Sequence, residues 1–495
     1  MLILYYKRTE LGIGKMEKYS SAFGKNDIRG IYNETIDENL YTKVGQAFVK
    51  YVQKKSGKTP EQLNLSVCRD ARLHSKSLSD ALIKGLVSEG ANVIDMGLAP
   101  TPIGYYSEFA GVNGQKIDGA LIVTASHNPP KYNGLKMTYN HQSLNESQIQ
   151  EVKEITFGID KLSDKKGNLK EYNLIKDYQN DMINRFGQIG IGVKVVVDSA
   201  NATGGIVAPQ LYRELGCNVV ELFSEPDGSF PNHHPNPSDL KTLDVIRKKV
   251  VEEKADLGIA FDGDSDRIGI IDSKGNAVTG DKLLLIYAKD IIDTAKENNT
   301  PMPKVVSEVK CSQVLYDKIN EYGGEAIMCK TGHGFIKGKM KETGAILAGE
   351  MSGHTFFKDR YYGFDDAVYA GCRIIEIVAK HKKQDGNFKV ENLLKPFEEV
   401  FSSEEVRLSC PNELKKPTLE AFEKLLNSNR DLFGETIKDI ITLDGLRIIF
   451  DDGFALIRQS NTEPVFTLRF EASTQELTQK YENTMVSTIN NIMKG

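Results

Sequence analysis

Three aspartates lie close together in the stretch DGDSDR, residues 262 to 267. Asp262, Asp264 and Asp266 directly follow the apolar run LGIAF, which has the pattern of a buried strand. Carboxylates this close repel one another unless a cation lies among them. An EF-hand calcium loop is excluded, because Arg267 stands where that loop needs glycine. Oxygen ligands favour Mg²⁺ over softer metals, so the pattern predicts a magnesium site, with a solvated acidic turn as the alternative.

A hydroxyl and an imidazole end a second apolar run, in GALIVTASHNPP, residues 119 to 130. Ser126 and His127 follow the run, and the two prolines prevent any regular continuation. The serine can be an activated nucleophile, or both side chains can cap the turn that the prolines create. A Ser-His-Asp hydrolase is disfavoured, because neighbours on a bend cannot easily hydrogen-bond as nucleophile and base and because G-x-S-x-G is missing. A phosphorylated Ser126 could instead supply oxygen ligands to the predicted Mg²⁺.

Two further polar loops have the composition of ligand-binding loops. GEMSGH, residues 349 to 354, places Glu350 and Ser352 between two glycines, which let a ligand approach the backbone closely. A carboxylate and a hydroxyl so placed can hold adjacent hydroxyls of a sugar, and a glycine-rich surface turn is the alternative. RQSNTEP, residues 458 to 464, combines an arginine, hydroxyls and backbone amides, which is the mixture that phosphate requires. A polar turn before Pro464 is the alternative for this loop.

The elements that must position these loops follow a repeated pattern. Runs rich in Val and Ile alternate with helix-period segments three times in the same order, which is typical of βαβ units with mostly parallel sheets. The first helix of each set ends at a glycine that fits a left-handed cap, namely Gly90, Gly216 and Gly323. The third strand of each set leads into TASHNPP, DGDSDR or GEMSGH. Ligands of open α/β sheets collect beyond the carboxyl ends of strands, so these loops are the predicted site.

The segment after residue 391 has alternating strand runs and glycine turns, which favour an α+β domain with a hairpin-rich sheet. We therefore predict an α/β protein with three similar mixed α/β domains, mostly parallel sheets and a C-terminal α+β domain, arranged around a central cleft. The predicted boundaries are 1–15 for an N-terminal extension, 16–170, 171–277 and 278–391 for the α/β domains, and 392–495 for the C-terminal domain.

The composition excludes several function classes. Of the 495 residues, 40% are hydrophobic and 26% charged, and the net charge of -5 gives no reason to expect nucleic acid or a membrane as a partner. The six cysteines include no CxxC pair, so a reducing cytoplasm is expected. No apolar run reaches the roughly 18 residues of a membrane helix, and the N-terminal run LILYY lacks the basic residues of a signal peptide. We expect a cytoplasmic monomer, although no sequence feature reports on oligomeric state.

Together, the four loops resemble the phosphohexomutase superfamily. The order TASHNP, DGDxDR, GExSGH, RxSNTxP extends from about residue 20 to 465, and the combination is specific. NDIRG at 26 to 30, VKC at 309 to 311 and TGH at 331 to 333 are similar to the bacterial phosphomannomutase/phosphoglucomutase branch. Asn461 supports that branch, because phosphoglucosamine mutases usually have glycine there. Relatives commonly have tyrosine where this chain has Asn26, so a substrate contact of that tyrosine is not carried over.

The resemblance implies a role for each loop. Ser126 would carry the phosphoryl group and bind Mg²⁺ together with Asp262, Asp264 and Asp266. The other residues implied at the reacting groups are Arg29, His127, Lys136 and Arg267, with the general base unassigned. The residues implied to bind the sugar or its second phosphate are Lys310, His333, Glu350, Met351, Ser352, Gly353, His354, Arg458, Ser460, Asn461 and Thr462.

The activity that the resemblance implies is the interconversion of hexose 6-phosphate and hexose 1-phosphate, with mannose and also glucose as the hexose. The phosphoserine would give its group to the bound monophosphate, and hexose 1,6-bisphosphate would be both intermediate and activator. A phosphoglucosamine mutase or a glucose-only phosphoglucomutase is the alternative within the superfamily. A Mg²⁺-dependent phosphomonoesterase that forms phosphoserine is the alternative from another class. The expected partners are small sugar phosphates.

Overall fold

The computed structural model describes residues 18–398, 400–460 and 463–494, which form two compact units. Unit 1 comprises the described residues of Met1–Val278, Ser352–Thr355 and Phe364–Val390, and unit 2 comprises those of Thr279–Met351, Phe356–Gly363 and Glu391–Gly495. The predicted N-terminal extension, 1–15, lies outside the described residues. Within the described part, no helix combines the length and the apolar character needed to cross a bilayer.

The first sheet of unit 1 holds the serine loop. Its strands are β1 (Ile28–Ile31), β2 (Asn64–Arg69), β3 (Asn92–Leu98), β4 (Gly119–Val123), β5 (Tyr132–Tyr139), β6 (Gln142–Ser143) and β7 (Leu169–Glu171). The helices of this region are α1 (Glu38–Ser56), α2 (Ser75–Ser88), α3 (Thr101–Ala110), α4 (Glu146–Phe157) and α5 (Ile175–Phe186). The strand order is β1-β5-β4-β2-β3-β7, with β6 beside β5. β2 is parallel to both β3 and β4, whereas β5 is antiparallel to β4.

The second sheet of unit 1 holds the aspartate loop. Its strands are β8 (Lys194–Asp198), β9 (Asn218–Leu222), β10 (Leu257–Phe261), β11 (Ile268–Ile271) and β12 (Ala277–Val278), and its helices are α6 (Ala208–Glu214) and α7 (Asp244–Glu252). The strand order is β12-β11-β10-β8-β9. β8 is parallel to β9 and β10, and β11 is antiparallel to β10.

The third sheet has the order β14-β13-β15-β16. Its strands are β13 (Lys304–Glu308), β14 (Glu325–Cys329), β15 (Leu347–Gly349) and β16 (Thr355–Phe357), and the helices of this region are α8 (Gly280–Asn298), α9 (Gln313–Glu321) and α10 (His333–Thr343). β13 is parallel to both β14 and β15. The next helix, α11 (Ala367–Gln384), belongs to unit 1. Short 3₁₀ helices cover Pro60–Gln62, Thr203–Ile206, Leu240–Leu243 and Val390–Phe397.

The C-terminal part of unit 2 is the antiparallel α+β domain that the sequence predicts. Its strands are β17 (Phe401–Ser402), β18 (Val406–Ser409), β19 (Asp439–Ile441), β20 (Leu446–Ile449), β21 (Gly453–Gln459) and β22 (Val465–Ala472), and its helices are α12 (Asn412–Ser428) and α13 (Gln475–Lys494). β19 to β22 pair antiparallel in chain order. The closing helix α13 contributes Tyr481, Met485 and Ile489 to a core shared with residues of these strands.

The first three sheets share one strand order, which confirms the prediction of three similar α/β domains. The orders are β5-β4-β2-β3, β11-β10-β8-β9 and β16-β15-β13-β14. Gly90, Gly216 and Gly323 have φ angles of 101°, 97° and 95°, as the predicted helix caps require. The sequence prediction ended each set at its third strand and missed the fourth. Each polar loop lies between the third and the fourth strand, so the repeat presents three loops in equivalent positions.

Helices α1 and α2 cross at two glycines, and this contact gives a first prediction. A Cβ on Gly85 would lie 2.0 Å from the carbonyl oxygen of Thr42, and one on Gly45 would lie 2.4 Å from that of Leu82. We expect Gly85→Ala to force the helices apart and to lower the free energy of unfolding by about 1–3 kcal/mol. Thermal unfolding measures the effect. Gly338→Ala is the matched control, because an added Cβ meets nothing within 4 Å there, and an unchanged Tm for Gly85→Ala would contradict the close crossing.

Glu108, a buried side chain on α3, makes the stability of the first domain depend on pH. Burial raises its pKa from an ordinary 4.5 to about 7, against the lowering effect of hydrogen bonds from Thr138 and His141. Because the folded-state pKa lies above the unfolded one, this group's contribution to stability is complete below about pH 4.5 and is lost as the pH rises through 7. Glu108→Gln should therefore gain stability relative to wild type, by up to about 3 kcal/mol, between pH 5 and pH 8.

The measurement for Glu108→Gln is thermal or urea unfolding across that pH range. The glutamine oxygen can still accept the His141 backbone N–H, which donates to Glu108 at 2.8 Å. Glu154→Gln, at an exposed position on α4, controls for the loss of one charge. Stability profiles of the wild type and Glu108→Gln that stay parallel from pH 5 to pH 8 would contradict the raised pKa.

Candidate active site

Ser126 lies just beyond the carboxyl end of β4, in a backbone conformation that turns its hydroxyl toward the aspartate loop. Its φ of 49° is in the left-handed region, which is strained for a residue other than glycine and is often retained at functional sites. The backbone N–H of Ser126 donates to Thr124 Oγ1 at 2.9 Å. The Ser126 hydroxyl donates to Asp262 Oδ2 at 2.7 Å. The serine loop and the aspartate loop, predicted separately, therefore meet at this hydrogen bond.

The sequence predicts that Ser126 and His127 cannot easily hydrogen-bond as nucleophile and base, yet the two side chains lie within hydrogen-bond distance. Ser126 Oγ lies 3.2 Å from His127 Nδ1, because the left-handed turn folds the serine side chain back beside the next ring. Burial, followed by the positive charges of Arg267 and Arg29, holds the pKa of His127 well below its ordinary value, so the ring is neutral. Its second nitrogen, Nε2, faces Arg267 Nη1 at 3.5 Å. A hydrolase triad would have a carboxylate on that side, so the arrangement does not favour one.

The three aspartates form a buried candidate metal site. Ligand oxygens of Asp262, Asp264 and Asp266 lie within 4.8 Å of one another. Burial, with the charges of Asp266 and Asp264, raises the pKa of Asp262 well above its ordinary value. Burial acts in the same sense on Asp266, yet Lys136 and His354 outweigh it and lower the pKa of that carboxyl. One oxygen each of Asp264 and Asp266 is buried without a hydrogen bond among the described residues, so a cation with oxygen ligands fits here.

Neighbouring elements of unit 1 hold the aspartate loop in place. Thr101, at the start of α3, donates its backbone N–H to the carbonyl of Asp264 at 2.9 Å and its hydroxyl to Asp264 Oδ2 at 2.6 Å. Lys136 on β5 lies 3.0 Å from Asp264 Oδ2 and also pairs with Asp266. A Cβ on Gly263 would lie 2.4 Å from the carbonyl oxygen of Ser126, so the close approach of the two loops requires glycine. Lys136 thus lies beside two of the three carboxylates.

Arg267 connects the aspartate loop to the third polar loop. Its Nε donates to His354 Nε2 at 3.0 Å, and the backbones of the two residues form an antiparallel bridge. His354 Nδ1 lies 3.2 Å from Asp365 Oδ2, and both side chains are buried. Sequence reasoning missed Asp365. Its only signal was the pair Asp365–Asp366 before α11, and the second of these is an ordinary helix cap that accepts the Tyr369 N–H at 2.8 Å.

The remaining predicted residues of unit 1 lie on these loops or contact them. Arg29, on β1, donates to the Ala125 carbonyl at 3.2 Å and to Asn128 Oδ1 at 2.8 Å. Arg29 therefore contacts the serine loop on both sides of Ser126. The carbonyl of Ser352 accepts a hydrogen bond from the hydroxyl of Ser238 at 3.0 Å. Gly353 has a φ of 93°, and its carbonyl accepts the Ile268 N–H at 3.2 Å.

The predicted residues of unit 2 form a second group. Lys310 follows β13, and its Nζ lies 3.1 Å from Glu405 and 3.7 Å from Glu308. Burial lowers its pKa, but these two carboxylates outweigh that effect and raise it. Glu308 also accepts the backbone N–H of Met351 at 2.8 Å. Glu350 accepts the Gly332 N–H at 2.8 Å, immediately before His333 at the start of α10.

Asp444 holds Arg458 at the start of the RQSNTEP loop, residues 458 to 464. Sequence reasoning missed this aspartate. One of its oxygens accepts both Arg458 Nε and the Thr331 backbone N–H, each at 3.0 Å. The loop before β22 is anchored by Ser460, whose N–H donates to the Val465 carbonyl at 3.1 Å. The predicted residues Asn461 and Thr462 lie outside the described residues. Lys310 and Arg458 are thus held in unit 2 by acidic partners that carry no motif of their own.

Models of all four phosphoglucomutase/phosphomannomutase domains match the chain. The alpha/beta/alpha domains I, II and III match residues 20–163, 176–275 and 279–396, and the C-terminal domain matches 405–487. The chain belongs to the phosphoglucomutase/phosphomannomutase family. The resemblance inferred from the four loops is therefore confirmed.

Individual members of the phosphoglucomutase/phosphomannomutase family match over nearly the whole chain. The phosphomannomutase/phosphoglucomutase of Pseudomonas syringae pv. tomato is 39% identical over 459 residues, which cover 92% of this chain and 91% of the relative. The phosphoglucomutase of Neisseria meningitidis serogroup A is 38% identical over 471 residues, or 94% and 96% of the two chains. A family protein from Burkholderia thailandensis superposes with a TM-score of 0.83 at 36% identity, over 96% of this chain and 98% of that one.

The close contact at Gly263 gives a prediction about the candidate metal site. We expect Gly263→Ala to push the aspartate loop away from Ser126, because the new Cβ would lie 2.4 Å from the Ser126 carbonyl. Overpacking of about 1–3 kcal/mol corresponds to a loss of Mg²⁺ affinity of roughly 5- to 150-fold. Calorimetric titration with Mg²⁺ measures this, and Gly338→Ala serves as the control. Wild-type affinity in Gly263→Ala would show that the loop separation does not govern metal binding.

Proposed function

We propose that this chain is a phosphohexomutase, an isomerase that interconverts hexose 6-phosphate and hexose 1-phosphate through phosphoserine at Ser126 and a hexose 1,6-bisphosphate. The observation that carries the proposal is the hydrogen bond from the Ser126 hydroxyl to Asp262, at the edge of three buried carboxylates. Membership of the phosphoglucomutase/phosphomannomutase family supports the same reaction.

Mg²⁺ is the proposed metal, held by Asp262, Asp264, Asp266 and an oxygen of phosphorylated Ser126. Hard carboxylate ligands in a buried group suit this ion. When bound, it supplies positive charge that offsets the charge of the phosphoryl oxygens. Lys136 adds a fixed positive charge at the same carboxylates.

The proposed transfer breaks the bond between phosphorus and Ser126 Oγ and forms a bond from phosphorus to a sugar hydroxyl oxygen. The hydroxyl proton passes to a base in the site, and Ser126 Oγ takes up a proton as it leaves. Transfer from the other end of the bisphosphate then regenerates the phosphoserine. Arg267 and Arg29 are the proposed donors to the phosphoryl oxygens, because both guanidinium groups contact the serine loop or its histidine. His127, held neutral by burial, and His354 complete the polar surroundings. Positioning and charge neutralisation account for most of the catalysis in such transfers.

The sugar phosphate is the proposed ligand of the remaining loops. Glu350 and Ser352 suit sugar hydroxyls, and Arg458 with Ser460 suits the phosphate that is not being transferred. The further residues proposed to contact the substrate are Lys310, His333, Met351, Gly353, His354, Asn461 and Thr462. One phosphate-binding loop can serve both halves of the reaction, because the bisphosphate exchanges its two ends between them.

Mannose and glucose phosphates are the proposed substrates, in keeping with the double name of the Pseudomonas relative. The Neisseria relative is named phosphoglucomutase alone, so glucose phosphate belongs in every assay. We also propose a cytoplasmic location, since the six cysteines are buried thiols. A monomeric state and domain boundaries after residues 15, 170, 277 and 391 are further proposals.

Intact-protein mass measurement combined with an isomerase assay tests this function. We expect one phosphoryl group on Ser126, and isomerisation of mannose 1-phosphate and glucose 1-phosphate that needs Mg²⁺ and rises with added hexose 1,6-bisphosphate. Ser126→Ala should lose the phosphoryl group and lower kcat by at least about 10³-fold, because the residue that carries the transferred group is gone. Ser147→Ala, at an exposed position on α4, is the control. Inorganic phosphate that forms faster than isomer would favour the phosphomonoesterase instead.

A further inference from the structure

Arg72 is a buried arginine whose five N–H groups all donate within unit 1, four of them to the serine loop or its end. The residue is only 2% exposed and follows β2. Its Nε donates to Asp70 Oδ2 at 3.1 Å. Its two Nη atoms donate to four backbone carbonyls, those of Ser126 at 2.8 Å, Asn128 at 2.6 Å, Pro129 at 2.8 Å and Tyr132 at 3.1 Å. One guanidinium group thus binds the backbone from Ser126 to the start of β5.

The serine loop needs such a donor because its backbone cannot satisfy itself. Two prolines lack N–H groups, and the left-handed turn at Ser126 takes the chain out of the sheet ladder. Buried carbonyls without donors would be costly. The planar fork of arginine presents five donors in fixed directions, whereas lysine has three on a flexible stem.

Residues that follow the second strand of the second sheet in unit 1 also contact Arg72 or its turn. The Phe230 ring lies 5.4 Å from the centre of the guanidinium group. A Cβ on Gly228 would lie 2.3 Å from the carbonyl oxygen of Ala71, so the segment that carries Phe230 is in backbone contact with the arginine's own turn. The guanidinium is therefore fixed in place by Asp70, Phe230 and the loop that it binds.

We propose that Arg72 is a positioning residue for phosphoryl transfer, which holds Ser126 in the left-handed conformation that aims its hydroxyl at Asp262. The proposal rests on the phosphohexomutase function proposed above. Arg72 acts through the Ser126 carbonyl, while the substrate is bound by other loops. A loosened serine should therefore slow the transfer step and leave hexose phosphate binding nearly unchanged.

Arg72→Lys tests this role, since lysine keeps the positive charge but lacks the planar guanidinium group with its five N–H donors. We expect kcat to fall roughly 10- to 100-fold, with KM for the hexose phosphate within about 3-fold of wild type. The rate at which glucose 1,6-bisphosphate phosphorylates Ser126, followed by intact mass, should fall by the same factor as kcat. Arg69→Lys, on β2 three residues earlier, is the matched control and should keep wild-type values. Thermal unfolding of each variant reports separately on stability.

The outcomes separate a positioning role from a structural one. A wild-type kcat in a folded Arg72→Lys variant would overturn the proposal, as would kcat and KM changes of equal size. Asp70→Asn is the second variant, because it weakens the anchor at Nε and leaves the four carbonyl contacts possible. It should lower kcat about 3- to 10-fold without changing KM, and it decides the question if Arg72→Lys does not fold. Absence of isomerase activity and phosphoserine in the wild type would instead refute the proposed function itself.

Discussion

The proximity of three buried carboxylates is the constraint on which the candidate site depends. Their oxygens lie within 4.8 Å of one another, and like charges at this distance destabilise a buried group unless positive charge or a proton compensates them. Lys136 compensates in part by pairing with two of the three. Burial and the two neighbouring carboxylates raise the pKa of Asp262, whereas Lys136 and His354 outweigh burial and lower the pKa of Asp266. A bound cation would complete the compensation, and the Ser126 hydroxyl donates a hydrogen bond to Asp262 of this cluster.

The repeated strand order explains how loops far apart in sequence acquire related positions. In each of the first three sheets, the polar loop connects the third strand to the fourth. Backbone contacts then replace side-chain ones where the loops must be close, as at Gly263 against Ser126. Glycines and strand ends therefore set the distances between the loops, and these distances place the charged side chains of the site.

Sequence reasoning predicted the elements of this fold well because their signals are local. Apolar periodicity, helix-capping glycines and turn residues depend on neighbours within a few positions. It missed the fourth strands β5, β11 and β16, each of which follows a polar loop in the chain. It also predicted that Ser126 and His127 cannot easily hydrogen-bond, because the left-handed φ at Ser126, which brings the two side chains together, cannot be inferred from residue types alone.

The sequence by itself determined which chemical groups this protein has and at which strand ends they stand, because motifs of four to seven residues carry that information. Only the tertiary structure decided their partners. Thr101 hydrogen-bonds to Asp264 across 163 positions of chain, and His354 faces Asp365 with no motif to announce it. Arg72 belongs to the same class, since its four carbonyl partners are backbone atoms that any sequence would offer. The physical reason is that hydrogen bonds and ion pairs depend on distance in space, and folding sets that distance without regard to separation along the chain.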